Sequence, residues 1–433
     1  MQPSRENFMQ DVNKKSNTEQ GIENKIVVIG AGIIGVTAAL NLKREGYHVT
    51  LLDRDKPGET CSFGNAGLLA LSSFEPNVGI DALISAPKWL LDPKGPLSIS
   101  WRYFPKLLPW LLAFVGACFS KKIASNAQAL HGLTGPSLDL YQQLAKTAGC
   151  QNLVCKSDYL QVYRTESGFN KAESGMQSRR NEGYKIDVLD ANAIKELEPA
   201  LSEQFHYAHH VHDHGYIADP GELLIRLHNQ FLSEGGLFEQ ANVIDIKATH
   251  SDCEIICDSK VYHCSKMVLA TGAFSKLLAK QIGDKVPLET ERGYHETCHA
   301  PAVSISRPIM EGDRKFLATP MDMGLRFAGT VELAGLDEPI NPRRINALNR
   351  NAKDMISGLN TTDSSTWMGF RSTLPDSLPV IGRSSAFPNI IYAFGHQHLG
   401  LTCAPKTGQL VTELICGRTP SIDIMAFDIR RFK

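Results

Sequence analysis

Apolar positions along this chain follow two patterns. In the first, a short continuous apolar run ends in glycine and hands over to helical spacing. Residues 25–29, KIVVI, suit a strand covered on both faces. They run into GAGIIG at 30–35 and then into VTAALNLKREG, whose apolar spacing predicts a helix with Gly46 as its C-terminal cap. A second run, HVTLL at 48–52, ends at Asp53, so the opening reads as a β-α-β unit. The pattern returns in KMVLA at 266–270, which breaks at Thr271-Gly272. It returns again in NIIYAF at 389–394, which turns through GHQHLGLT into a helix expected over 405–416 and closed by Gly417. Between these pieces, Asp219-Pro220-Gly221-Glu222 predicts a helix start, with Asp219 as N-cap, Pro220 first in the helix and Glu222 as capping-box acid. Leu223, Leu224, Leu227, Phe231 and Leu232 form its apolar face, Gly235-Gly236 stops it, and a hairpin-like stretch follows over 243–264.

The second pattern fills the gaps. Residues 81–214 read as helical with short strands such as YLQVYR, and 276–364 as alternating strands and turns. The predicted fold class is α/β: a Rossmann-like domain, discontinuous over 25–80, 215–275 and 365–433, with an inserted mixed-sheet α+β domain made of 81–214 and 276–364. Residues 1–24 are polar and carry no continuous apolar segment, so a loose tail is expected there and not a secretory signal. The most apolar stretch, LLPWLLAFVGACF at 107–119, contains Pro109 and is bounded by Lys106, Lys121 and Lys122. It falls short of the roughly twenty residues that span a bilayer. It reads as a buried helix of the fold or, given Trp101, Trp110 and the basic flanks, as an interfacial anchor making peripheral membrane contact through 101–119.

Charge narrows the partners. With 45 Lys+Arg against 46 Asp+Glu in 433 residues, the chain lacks the basic excess of a nucleic-acid binder. Its 10 cysteines include no C-x-x-C pair, and the spacing of Cys253, Cys257 and Cys264 fits no standard zinc pattern. They read as reduced thiols, and a cytoplasmic location is expected. In AHHVHDHG at 208–215, His210, His212 and His214 alternate as one face of a strand would, and no metal is expected there.

The candidate chemistry begins at GAGIIG. Gly30 allows a tight turn, Gly32 lets the backbone approach a pyrophosphate, and Gly35 lets helix and strand pack closely, with Ala31, Ile33 and Ile34 between them. Asp53, at the end of the second strand, is placed to hold a ribose diol. The fingerprint alone leaves FAD and NAD both open, but three further segments favour a flavin. TCSFGNAG at 60–67 supplies Ser62, Gly64, Asn65, Ala66 and Gly67 in a loop able to run back along a flavin. VLATGA at 268–273 is a strand ending in a small-residue turn. HLGLT puts Leu399, Gly400, Leu401 and Thr402 at a helix start, whose dipole suits the negative N1–C2=O edge of a reduced flavin.

The ordered set GAGIIG with Asp53, SFGNAG, VLATGA, TERGYH, GFRSTLPDSLPVIG and FGHQHLGLT resembles the D-amino-acid oxidase-like flavoprotein superfamily. It looks most like the bacterial D-amino acid dehydrogenases of small-subunit type, and the resemblance runs from Lys25 to the C-terminus. It implies that the discontinuous domain is an FAD-binding Rossmann-like domain, that the inserted mixed-sheet α+β domain is the substrate domain with its sheet over the flavin, and that a Cα–N bond is oxidised by hydride transfer to flavin N5. Carried onto this sequence, Gly30 to Gly35 and Asp53 with Arg54 would hold ADP, Ser62 to Gly67 would line the isoalloxazine, and Val243 would meet the adenine. Thr271 and Gly272 would flank the nucleotide, and Gly400 to Thr402 would contact the pyrimidine edge. Arg371 matches the arginine that grips the substrate carboxylate, with Tyr294 donating its hydroxyl to the same group. Related members read R-P where Ser372 follows here. A planar guanidinium suits a carboxylate because it offers two parallel hydrogen bonds, although Asp376 nearby leaves an ion-pairing role open and Tyr294 also reads as a packed aromatic. His396 and His398 read as turn and flavin contacts, and nothing in the sequence demands a covalent flavin link through Cys61.

The resulting expectation is an FAD-dependent dehydrogenase of a D-amino acid, with D-proline or hydroxy-D-proline as candidates. Electrons would pass to a quinone, or to O₂ in an oxidase, and the enzyme would be cytoplasmic or peripheral on the cytoplasmic face of the inner membrane. The competing readings are a glycine- or sarcosine-oxidase-like amine oxidase using O₂, an NAD-dependent dehydrogenase, and a non-catalytic flavin-binding protein.

Overall fold

The computed structural model describes residues 24–76, 79–92 and 95–433. The expected tail, 1–24, lies outside the described residues except for Asn24. The KIVVI run is the centre of a six-stranded sheet. Lys25–Ile29 lies between His48–Asp53 and Lys266–Leu269, with Leu237–Gln240 and Ile390–Phe394 beyond them, all parallel, and Val380–Arg383 antiparallel at one edge. Both faces of the central strand are buried, which is why its sequence is continuously apolar. Ile26 and Val28 pack with Val36, Leu40 and Val411 of the helices Ile33–Arg44 and Gly400–Ile415. Val27 and Ile29 face the antiparallel meander Val243–Ala248, Cys253–Cys257 and Val261–Cys264 through Ile246, Ile255 and Cys264.

The helix expected from Pro405 begins five residues earlier, at Gly400. Proline has no N–H to give the carbonyl one turn back. That carbonyl, on Leu401, accepts a 2.6 Å hydrogen bond from the Tyr141 hydroxyl, so the helix runs through the proline with its orphan acceptor satisfied. Close helix crossing needs Gly408, where a Cβ would stand 3.0 Å from the backbone of Thr37. At Pro220–Ser233, Asp219 caps as expected, accepting from the amides of Gly221 and Glu222 at 2.9 and 3.0 Å. Glu222 turns instead to Arg226, and Leu232 is exposed while Leu223, Leu224, Leu227 and Phe231 of that face are buried.

The second sheet has ten strands. Its path runs Ser364–Thr373, Glu289–Cys298, Gly324–Leu333, Phe316–Met321, Ile309–Glu311, Val154–Tyr163, Tyr207–Ile217 and Leu68–Leu69, with Leu97–Ile99 and Ile186–Asp190 pairing at its sides. The boundaries expected at 215 and 365 fall inside two of these strands, so Arg371 stands on the second sheet. Within 276–364, read as strands and turns, lies the helix Pro342–Met355. Its apolar stripe of Ala347, Leu348, Ala352 and Met355 is narrow among arginines and asparagines, which hid its period. Ser137–Thr147, from the block assigned to the second domain, packs Tyr141, Leu144 and Ala145 into the core beneath the first sheet.

The segment 101–119 holds the helix Phe104–Cys118, buried on only one side. Leu107 and Trp110 pack on Leu333. The other side carries Leu108, Leu112, Val115 and Phe119 in one exposed stripe, with Leu112 65% exposed and Trp101 78%. No single helix among the described residues is long and apolar enough to cross a membrane. The histidine run also departs from simple alternation. Asp213 takes φ +57° where the strand register slips, and this turns His214 away from His210 and His212. His210 Nε2 and His212 Nδ1 bond Asp158 at 2.9 and 3.0 Å, with Arg307 Nη1 3.2 Å from His210. His214 meets Ser72 and the His212 carbonyl, and burial lowers its pKa to about 4.

Candidate active site

One cavity of about 1950 Å³ runs between the carboxyl ends of the first sheet and one face of the second. Two helix N-termini line it. The helix Ile33–Arg44 has no side-chain cap from Gly32 and no acid in its first turn, so apart from the Ile33 amide its N-terminus suits an anion. Its glycines do the work read from the sequence. Gly30 has φ +108°, and a Cβ there would stand 2.4 Å from the Ala270 carbonyl, while a Cβ on Gly35 would strike the Gly30 carbonyl at 1.8 Å. At Gly32 a Cβ would meet only Ser62 Oγ, at 3.5 Å, and would otherwise fill open cavity. Ser62 accepts from the Ile33 amide at 3.0 Å, and Asp53 accepts from the Ala31 amide at 2.6 Å. Burial pushes the Asp53 pKa up while its hydrogen bonds from Ala31 and Asp55 pull it down. The second helix, Gly400–Ile415, likewise presents Leu399, Gly400 and Leu401 to the cavity with no acid in its first turn.

Most residues expected at the site line this cavity, including Gly30, Gly32, Ile33, Ile34, Asp53, Arg54, Ser62, Gly64, Asn65, Ala66, Val243, Thr271, Gly272, Tyr294 and Arg371. Ala31, Gly35, Gly67 and Thr402 stand behind the wall. Gly67 makes the turn out of the loop at φ +79°, and the Thr402 hydroxyl accepts from the Ala70 amide at 3.1 Å, so that side chain pins the loop's far end. Arg54 lies over the Phe274 ring at 3.8 Å, a cation–π contact absent from the sequence reading.

The glycine loop is clamped from the second sheet by residues the sequence did not mark. Arg326 Nη1 donates to the carbonyls of Phe63 and Asn65 at 3.0 and 2.8 Å, Thr319 Oγ1 donates to the Ala66 carbonyl at 2.7 Å, and His295 Nδ1 donates to the Gly64 carbonyl at 3.0 Å. Burial and the nearby Arg326 hold His295 neutral, with its pKa lowered to about 3. Trp367 stacks on His295 and lies so close to Gly64 that a Cβ there would sit 2.0 Å from its ring.

Arg371 stands in the wall opposite. Its Nη1 donates to the Thr330 carbonyl at 3.2 Å, an acceptor aimed by a bulge in which Thr330 takes φ +63°. The guanidinium lies flat on Gly293, where a Cβ would stand 2.4 Å from Cζ. With one of its five donors so engaged, the group keeps a fork for a planar anion. Tyr294 is placed differently from the expectation. Its hydroxyl donates to the buried Glu332 at 2.5 Å and its pKa rises to about 12 through burial and that carboxylate. The ring lines the cavity, but its donor is spent on the protein. His396 bonds Thr407 at 3.1 Å. His398 lines the cavity. Burial lowers the pKa of His396 to about 3, and the desolvating cavity walls with Arg371 lower that of the cavity-facing His398 to about 4, so both are neutral at physiological pH. The Cys61 thiol faces the cavity and exchanges hydrogen bonds with the Phe370 backbone, and the desolvating walls around it push its pKa up to about 11.

The profile described as "FAD dependent oxidoreductase" matches residues 25–414. A protein from Bradyrhizobium diazoefficiens named D-amino-acid oxidase is 34% identical over 415 residues, 94% of this chain and 98% of that one. A protein from Dechloromonas aromatica named D-amino acid dehydrogenase is 30% identical over 415 residues, covering 92% of this chain and 98% of its own length. The structure of glycine oxidase from Geobacillus kaustophilus superposes with a TM-score of 0.73 at 18% identity, covering 94% of this chain and 98% of that one, a likeness of fold. The cradle fits the cofactor these matches imply: uncapped helix N-termini without acids suit the pyrophosphate and flavin edge, and Asp53 suits the ribose.

Proposed function

The chain belongs to the family of FAD-dependent oxidoreductases, and we propose that within it this protein dehydrogenates the Cα–N bond of a D-amino acid, with a cyclic one such as D-proline or hydroxy-D-proline as the favoured candidate. Arg371 carries this reading: a guanidinium in the cavity wall, held by one backbone carbonyl and otherwise open to the space in front of the glycine loop. The names of the two relatives support a D-amino acid as the substrate class. Bound FAD supplies the two-electron acceptor for a hydride from Cα.

The protein's part is binding and orientation. Arg371 takes the substrate carboxylate bidentately and so fixes Cα relative to the loop Ser62–Gly67, which Arg326, Thr319 and His295 hold still. Trp367 and Phe370 wall the cavity and exclude water from the reacting carbon. His398, neutral beside Arg371, leaves the guanidinium's charge undiminished for the carboxylate and adds no competing cation. The imine product hydrolyses in water to a 2-oxo acid, or persists when it is cyclic. Anaerobic titration with D- and L-amino acids, including D-proline, L-proline and glycine, tests the reading. D-Proline or another D-amino acid should bleach the flavin absorbance while its L-enantiomer leaves it unchanged. Colourless protein, or a flavin that no amino acid bleaches, rules the reading out, and preference for glycine with rapid reoxidation in air selects the amine-oxidase alternative.

For the acceptor, we propose a quinone reached at the cytoplasmic face of the inner membrane. The support is the exposed stripe Leu108, Leu112, Val115 and Phe119, with Arg102 and Lys106 at one end and Lys121 and Lys122 at the other. An apolar stripe between basic ends suits a helix lying in the plane of an anionic interface, at about 1 kcal/mol per basic side chain. The protein should co-sediment with vesicles containing phosphatidylglycerol, less with pure phosphatidylcholine, and Leu112→Glu should abolish the effect. Equal recovery with and without vesicles would remove the membrane from the proposal.

A further inference from the structure

The Arg371 wall contains a second ionisable group that nothing above employs. In the antiparallel pair of Glu289–Cys298 with Ser364–Thr373, Glu291 stands directly opposite Arg371. Directly opposed residues share a face of the sheet, and both of these line the cavity. The Thr373 side chain hydrogen-bonds the Glu291 carboxylate from the next position on that face. Among the described residues the two opposed groups do not close a salt bridge within 4 Å, because the guanidinium is drawn the other way, onto Gly293 and the Thr330 carbonyl. The result is a separated cation and anion set into one wall.

An α-amino acid carries a carboxylate and an ammonium on adjacent atoms, the complement of such a wall. We infer that Glu291 is the subsite for the substrate's amino group, binding it while Arg371 holds the carboxylate. This rests on the reading of Arg371 as the carboxylate site. It makes the pocket selective for zwitterions over simple carboxylates, because an acid lacking the amine meets the negative charge of Glu291 uncompensated. The bland alternative is that Glu291 only neutralises Arg371 in the empty cavity.

The two roles predict opposite responses to ligands that differ by the amine alone. D-Proline and cyclopentanecarboxylate have the same ring and carboxylate, with CH₂ in place of NH. In the flavin-loaded enzyme, the half-saturating D-proline concentration comes from the anaerobic bleaching rate, and the cyclopentanecarboxylate Kd from perturbation of the flavin absorbance. If another panel amino acid bleaches faster, it and its own desamino acid are used. Glu291→Gln should raise the D-proline value about 10- to 100-fold, as for a lost hydrogen bond to a charged group, while cyclopentanecarboxylate binds as tightly as before or more tightly. If both constants move together, or neither moves by more than about threefold, Glu291 is not the amine subsite. Should the glutamine variant emerge colourless, Glu291→Asp keeps the charge one methylene shorter and must show the same divergence. A wild-type flavin that no amino acid bleaches is a failure of the proposed function, a result distinct from either of these.

Discussion

Arg371→Ala is expected to yield a folded, yellow protein that has lost its grip on carboxylates, with kcat/KM for its amino-acid substrate down by about 10²- to 10³-fold. Truncating one side of a desolvated charged pair costs about 2–5 kcal/mol. That figure applies here because the guanidinium is withdrawn from bulk water into the cavity wall, where burial lowers its pKa and Glu291 opposes the shift. Little of the fold depends on the side chain, whose hydrogen bond to the protein goes to the Thr330 carbonyl. Arg371→Lys should recover only part of the loss, since a point charge cannot reproduce two parallel hydrogen bonds. Gly293→Ala is the subtler version. The new Cβ would stand 2.4 Å from Cζ of Arg371, so the flexible end of the arginine must slide away while the strand stays in register. Carboxylate affinity, titrated through the flavin absorbance, should fall in Gly293→Ala without a change in chemical-denaturation midpoint. Unchanged affinity in Arg371→Ala would take Arg371 out of the site.

The largest effect on stability is expected at Glu332. This carboxylate, 4% exposed, accepts from the Tyr294 hydroxyl at 2.5 Å, from Asn341 Nδ2 at 2.5 Å, and pairs with Arg292 Nη1 at 3.3 Å. Arg292 is itself only 1% exposed. Removing one member of a buried ion pair leaves the other charge without compensation, at a cost of about 3–5 kcal/mol. Glu332→Ala should therefore lower the unfolding free energy by that amount in urea titration, or abolish soluble expression. Tyr294→Phe removes two hydrogen bonds, the one given to Glu332 and the one accepted from the Asn341 amide at 3.3 Å, and should cost only about 1–3 kcal/mol. It should also leave carboxylate affinity unchanged, because that hydroxyl is already given to Glu332. A large rise in substrate KM in Tyr294→Phe would show instead that the hydroxyl turns to the substrate.

What could be read from the residues alone was whatever is settled within a few positions along the chain. The doubly buried strand at 25–29 announced itself by its continuous apolar run, and the roles of Gly30 and Gly35 followed from a turn that tolerates no Cβ. The Asp219 cap was legible for the same reason. The N-terminus at Gly400 was visible as a helix start, but its precedence over Pro405 was not. That depends on Tyr141, 260 positions away, supplying the hydrogen bond to the Leu401 carbonyl.

The site itself divides along the same line. Local sequence determined a dinucleotide cradle, a glycine loop and a candidate arginine, because turn geometry and helix starts are short-range properties. Only the tertiary structure decided that Arg326 and His295 clamp the loop, that the Tyr294 hydroxyl belongs to Glu332, and that Glu291 stands opposite Arg371. Each of these depends on strand register and on one bulge at Thr330. Register is set by pairing between segments far apart in the chain, and a slip of a single residue would carry every one of these side chains to the other face of the sheet.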